Sequence, residues 1–225
     1  MKLFPSFLPF VLVVTTAIPA LCEQAPYRLE GIVVTASRIE SPLKEASANV
    51  TVITSEDIEA TGSRTVADIV QREAGVFTQN LLGNPKSANI DIRGYGETAP
   101  QNVLILVNGR RVNGIDTTGA DLAQIPVDAV ERVEIYRGPG SVLYGDNATG
   151  GVVNIILKAG EGTPKATVSS TVGSYNYLKP EATISGKQQK FSYLATVSSV
   201  ETQGYRENNH FYAKDALGNV RMDTF

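Results

Sequence analysis

Residues 133–157, VEIYRGPGSVLYGDNATGGVVNIIL, constrain this chain more than any other stretch. Two apolar, β-branched runs, residues 133–137 and 151–157, flank a segment holding Gly138, Pro139, Gly140, Gly145, Gly150 and Gly151. Glycine is needed where the backbone turns through positive φ or lies close against another surface, and proline fixes one further dihedral. Strand, glycine-punctuated turn and strand in so short a span predict a compact connection inside a packed body. A flexible linker would lack the flanking strands.

The residues before it extend that body. Val50-Thr51-Val52-Ile53 reads as a short strand, and Thr54-Ser55-Glu56-Asp57 as a helix start with a hydroxyl cap and acids in the first turn. Gly62 is expected to end that helix and Ser63 to cap a second one, with Val66, Ile69 and Val70 on one face and Gly75 as its stop. Residues 89–93 alternate like a half-buried strand, whereas residues 103–107 are an unbroken apolar run, as in a central strand. Asn108-Gly109 predicts a tight turn into Arg110-Arg111, and Pro126 the start of a further helix. Short strands and short helices of this kind make an α+β body of about 120 residues.

Beyond Gly160 the period changes to two. Ala166, Val168 and Val172 alternate with Thr167, Ser169 and Thr171; Ala182 and Ile184 follow; then Phe191, Tyr193, Ala195 and Val197 alternate with Ser192, Thr196 and Ser198. Small polar residues on one face and apolar ones on the other, with tyrosines near the ends, describe about three transmembrane β-strands, and a soluble sandwich would give a similar pattern. Gly173-Ser174 and Gly186-Lys187 are expected at strand ends.

Twenty Lys plus Arg against 23 Asp plus Glu, a net charge of -3, give no electrostatic case for nucleic acid. Met1-Lys2 and the apolar run of residues 3–18, broken by Pro5 and Pro9, read as a secretory leader rather than a spanning helix, with a cut after Ala20-Leu21-Cys22. A lipid-modified Cys22 is the alternative. With the cut after Cys22, the remaining residues hold no cysteine, hence no disulfide and no thiol chemistry.

Catalysis has little to stand on. His210 is the only histidine, and the chain has no nucleophile elbow, phosphate loop or paired metal ligands. No catalytic residue, metal ligand or cofactor is assigned.

Tyr136-Arg137-Gly138-Pro139, Leu143-Tyr144-Gly145 and the run from Gly150 to Ile156 resemble the end of the plug domain of TonB-dependent outer-membrane receptors. Ile92-Arg93-Gly94 and the run from Val103 to Val112 resemble the same family, in the same order. The resemblance implies an α+β plug domain with a small mixed sheet and short helices, then the first strands of an antiparallel transmembrane β-barrel of about 22 strands. On that reading residues 1–22 are the signal peptide, 23–40 an N-terminal segment, 41–160 the plug and 161–225 an incomplete barrel start. The implied role is that of a non-enzymatic receptor in the cell outer membrane, importing an iron-siderophore, haem or cobalamin.

The resemblance also implies sites. Glu30, Gly31, Ile32, Val33, Val34, Thr35 and Ala36 stand where the family carries the TonB box, gripped by the energy-transducing protein TonB; such an extended β-branched peptide suits strand addition. A first strand of the domain's own sheet is the alternative. Arg93 and Arg137 stand where plug arginines pair with carboxylates of the barrel wall, a task suited to the guanidinium fork, with local pairs to Asp91 or Glu134 as the alternative. Outward loops at 81–89, 94–101 and 113–120 are expected to meet the nutrient or metal-chelate ligand through Asn84, Tyr95, Glu97 and Asp116, unless these are ordinary solvated turn residues. The apolar strand face is expected to meet outer-membrane lipid.

Overall fold

The computed structural model describes residues 33–34, 41–42, 49–80, 86, 88–114 and 119–222. The predicted leader lies outside them, as do Glu30, Gly31, Ile32, Thr35 and Ala36 of the predicted box. The described part opens with β1 (Val33–Val34) and β2 (Ser41–Pro42), which pair antiparallel as a two-stranded sheet of their own.

β3 (Val50–Thr54) runs directly into α1 (Ser55–Thr61), and Thr54 serves both. Its hydroxyl accepts from the Asp57 amide while the Asp57 carboxylate accepts the Thr54 amide at 2.9 Å, a capping box that satisfies two helix-end donors. Gly62, at φ 59 and ψ 28, closes the helix in the left-handed conformation that a side chain would resist. The second helix, α2 (Val66–Val70), is capped by Thr65 and not by Ser63. The reason is spacing: a capping box needs an acid three residues after the hydroxyl, and Thr65 has Asp68 there where Ser63 has Val66. The Ser63 hydroxyl is shared with that of Thr61 at 2.7 Å. Gln71 ends α2, so the expected stop at Gly75 comes after the helix and instead turns the chain into β4 (Val76–Asn80).

β5 (Ala88–Ile92) pairs antiparallel with β4 as a separate hairpin. A 3-10 helix, Gly96–Gln101, leads to β6 (Val103–Val107) and β7 (Arg110–Arg111). Asn108 and Gly109 between them have φ of 49 and 77, the paired positive values that a two-residue hairpin turn requires. Pro126 opens a single 3-10 turn, Val127–Ala129, in place of the expected helix, because the chain must already be extended at Val130 to enter β8 (Val130–Tyr136). α3 (Ser141–Tyr144) and β9 (Gly151–Leu157) follow.

The five-stranded sheet has the order β3-β8-β9-β6-β7, with β6 and β9 parallel and the other neighbours antiparallel. All seven residues of β9 are buried, which is why its sequence does not alternate and is apolar but for Asn154, itself 1% exposed. Val66, Ile69, Val70, Ile92, Val133, Ile135 and Ile155, each at most 1% exposed, form the core between this sheet, α2 and the β4–β5 hairpin.

The period-two region forms four strands in a meander, not about three: β10 (Lys165–Gly173), β11 (Tyr177–Gln188), β12 (Phe191–Thr202) and β13 (Phe211–Met222). β11 continues past the expected end at Gly186-Lys187 to a turn at Gln189, whose φ is 55. Gly186 pairs with Tyr193, and a Cβ there would come within 2.6 Å of the tyrosine hydroxyl, so this glycine makes room for a ring instead of a turn. One face of the meander turns toward the five-stranded body with Lys179, Glu181, Ser192, Thr196 and Asp215. The other leaves Val168, Val172, Ile184, Phe191, Val197 and Val220 more than half exposed.

Candidate functional site

At the end of β5 the Asp91 carboxylate accepts the amides of Tyr95 and Gly96, both at 2.9 Å. This fixes a turn in which Arg93 holds a φ of 76, uncommon for a residue with a side chain. The turn carries Arg93 to the end of β8, where its guanidinium donates to the Arg137 carbonyl at 3.2 Å. Arg137 donates its amide to Asn49 and its guanidinium to the Thr51 hydroxyl, and meets Glu73 at 3.5 Å. Its Nε is buried and has no hydrogen-bond partner among the described residues. The two arginines singled out in the sequence are thus brought together.

The two carboxylates named as their local alternative have other groups on them. Asp91 is engaged by backbone amides, and Glu134, fully buried, takes Arg132 Nε at 3.0 Å and the Asn154 amide at 3.4 Å. Glu73 is the local partner instead, and it lies 64 residues away in sequence, so no spacing rule could have found it.

The four loop candidates fare differently. Asn84 and Asp116 lie outside the described residues. Tyr95 is half-buried with its ring against Gly150, where a Cβ would come within 2.8 Å of the ring. Glu97 is exposed. Tyr95 and Glu97 follow the Ile92 end of β5, whereas Asn80 and Ala88, which bound the loop of Asn84, stand at the other end. At five residues the strand separates these ends by about 16 Å.

Asn80 and Ala88 help to line a cavity of about 410 Å³ between the body and the inward face of the four strands. Arg64, Gln71 and Thr78 enter it from the body, and Tyr175, Tyr177 and Phe211 from the strands. The Arg64 guanidinium stands 5.0 Å over the Tyr177 ring, a cation held on an aromatic face. An apolar hollow with a few convergent polar groups is suited to a small ligand. None of these residues was singled out from the sequence, although the tyrosines near strand ends were a signal.

At the opposite end of the strands the contact is polar. Asn219 donates to the Lys158 carbonyl at 3.0 Å and accepts from Asn108 at 3.3 Å, and Arg221 reaches the Leu157 carbonyl at 3.4 Å. Among the described residues no group of His, Cys, Asp and Glu is placed to hold a metal ion.

The TonB-dependent Receptor Plug Domain family model matches residues 42–152. Among curated proteins the chain is similar to the vitamin B12 transporter BtuB of Vibrio vulnificus, at 37% identity over 159 residues, 71% of this chain and 26% of that protein. Among solved structures it is similar to the siderophore receptor PirA from Pseudomonas aeruginosa, at 30% identity and a TM-score of 0.57, covering 80% of this chain and 33% of that one. In fold alone it is similar to the alcaligin outer-membrane receptor FauA from Bordetella pertussis, at 18% identity and a TM-score of 0.66 over 85% of this chain and 32% of that one. The chain therefore spans 26% of the curated relative's length, and the structural matches, at 80% and 85% of this chain, reach beyond residues 42–152. From the mixed sheet with its arginine-bearing turns, the amphipathic meander beside it and these likenesses it follows that the chain belongs to the TonB-dependent receptors, as a plug domain followed by antiparallel strands of the surrounding wall.

Proposed function

We propose that the chain is the amino-terminal part of an outer-membrane receptor that imports a scarce nutrient of the iron-siderophore, haem or cobalamin class, driven by TonB. The observation that carries this reading is the orientation of the four strands. The polar face of β11, β12 and β13 packs on the plug while β10 is exposed on both faces, and the outer face of the four leaves Val168, Val172, Phe191, Val197 and Val220 exposed, the arrangement a barrel wall needs between a plug and lipid. The names of the relatives, a vitamin B12 transporter and a siderophore receptor, support the substrate class.

In this reading the hairpin ends of the wall, with the cavity beside them, face outward and receive the nutrient. Asn84, in the loop bounded by the cavity-lining Asn80 and Ala88, and Asp116 remain the candidate contacts from the plug loops, whereas Tyr95 and Glu97 stand at the other end of β5, away from this cavity. The box, Glu30 to Ala36, faces the periplasm. Among the described residues Val33–Val34 pair with Ser41–Pro42 in a sheet separate from that of the plug, which suits a peptide that leaves its pairing to add a strand to TonB. Arg93 and Arg137, brought together at the end of β8, are where carboxylates of later strands would meet the plug. The buried, unpartnered Nε of Arg137 leaves a donor for such a group.

Replacing Val33 with Pro in the complete receptor removes a backbone donor from the box. Energised uptake is then lost while ligand binding persists, and unchanged uptake refutes the role assigned to the box. Binding of labelled siderophores, haem and cobalamin to the same receptor identifies the substrate.

A further inference from the structure

Lys179 stands on the inward face of β11 with its side chain 15% exposed. Its ammonium lies 3.0 Å from Glu181 Oε2, two residues along the same face, and 3.6 Å from Asp128 Oδ2 in the plug's Val127–Ala129 turn. The Glu181 side chain is 5% exposed, and among the described residues its Oε2 has no partner but Lys179. Two carboxylates, one from the wall and one from the plug, therefore share a single ammonium across the seam between them. Glu181 is also in register with Ser198, and Ser198 with Asp215, so a further acid of the wall faces the plug on the same row. Among the described residues no other cation pairs with Asp128, Glu181 or Asp215.

We infer that Lys179 is a charge clasp that seats the plug against this part of the wall, and that removing its charge loosens the plug. The physical reason is the asymmetry of a shared ion pair at low exposure. With the ammonium present, each carboxylate has a counter-charge; without it, Glu181 is a buried anion with no partner and faces a second anion across the seam. The clasp has its cation on the wall and its carboxylate on the plug, the reverse of what is proposed for Arg93 and Arg137. It is a positioning residue, acting on the plug through Asp128.

The inference rests on the transport reading only in that a loosened plug opens a path through the barrel. The test uses the complete receptor in liposomes without TonB and measures passive entry of a small hydrophilic dye. Lys179→Met is expected to raise entry about tenfold, the factor that follows from losing a modest part of a buried pair. Lys179→Arg is expected to keep entry near the unaltered level. Lys179→Glu is expected to leak as Lys179→Met does, and adding Asp128→Lys to it to restore most of the barrier. A merely structural lysine would not answer to that exchange of charges. Entry unchanged in Lys179→Met, or an exchange no tighter than Lys179→Glu alone, overturns the clasp. Should Lys179→Met fail to assemble, Asp128→Asn, at a side chain 67% exposed, reads the same pair: a smaller rise supports the clasp and no rise overturns it. Because TonB is absent, the result is independent of the Val33→Pro experiment, so failure of one is distinguishable from failure of the other.

Discussion

A methyl group added at Gly151 separates steric from conformational reasons for glycine in this fold. Gly151 begins β9, and a Cβ there would lie 2.6 Å from the Tyr136 carbonyl oxygen and 2.9 Å from Ile92 Cδ1. Both distances are well inside the roughly 3.5 Å of an ordinary contact. The isoleucine can rotate, but Tyr136 O belongs to β8, whose pairing with β9 places Tyr136 opposite Val152. Relief thus requires the first rung of that pairing to part. Overpacking of this kind costs about 1–3 kcal/mol, and a strand-end hydrogen bond lost with it about 1 kcal/mol. Against this, replacing glycine restricts the unfolded chain and returns about 0.4–1 kcal/mol. The net expectation for Gly151→Ala is therefore a loss of about 1–3 kcal/mol. Gly218→Ala supplies the control, since a Cβ there meets nothing within 4 Å and its φ is not positive. It is expected to change stability by about 0.5 kcal/mol or less, as at other exposed positions. Amide hydrogen exchange across β8 and β9, with urea midpoints from tyrosine fluorescence in a chain that has no tryptophan, measures both variants. If Gly151→Ala protects those amides as well as Gly218→Ala does, the close-approach argument fails.

Thr65→Ala should destabilise the plug by about 1 kcal/mol through loss of the α2 cap, while Ser63→Ala should cost less, because Thr65 and not Ser63 accepts the Asp68 amide; the urea midpoints compare them. Hydrogen bonding and charge from Arg111, 2.9 Å away, hold the Asp146 carboxyl below its usual value of 3.8. A depressed carboxylate contributes stability above its unfolded value and loses it as pH falls through its folded one, so acid should erode this pair below about pH 3.8, and Asp146→Asn should remove that part of the pH dependence of the urea midpoint. Val197→Lys, at a side chain 57% exposed in mid-strand, should cost about 2–4 kcal/mol in a bilayer-refolded receptor if that face meets lipid, and near nothing if it meets water; equilibrium refolding into vesicles tells the two apart.

Much of the plug was legible because its signals are local. The unbroken apolar run of β6 announced a central strand, and Asn108-Gly109 announced the turn that its two positive φ values make. The misreading of Ser63 had an equally local cause: two hydroxyls stand two residues apart, and only the acid at the third position after each decides which one caps. β13 went unnoticed because its inward positions carry Asp215, Asn219 and Arg221 while its outward ones include Lys214. A strand lining a polar seam has no apolar alternation to read. The partner of Arg137 and the lining of the cavity were illegible for a different reason. Both join residues far apart in sequence, Arg137 with Glu73 and Arg64 with Tyr177, and only the folded pairing brings them together.

The plug and the wall are held by different kinds of force, and this bears on how one could move past the other. Inside the plug, Val66, Ile69, Val70, Ile92, Ile135 and Ile155 are buried to within 1% of completeness, so pulling the body apart exposes apolar surface at roughly 25 cal/mol for each Å². Across the seam the contacts are mostly exchangeable with water: Asn219 on the Lys158 carbonyl, Asn108 on Asn219, Arg221 on the Leu157 carbonyl and Lys179 on Asp128. Each such bond is worth only about 0.5–1.5 kcal/mol net, because water replaces it when it breaks. Leu194 and Leu217 add apolar contacts with the plug core from the wall's inward face. A force on the amino-terminal segment would on this balance shift the seam before it breaches the core. The charge clasp at Lys179 would then set the threshold, because Glu181 beside it is nearly closed to water.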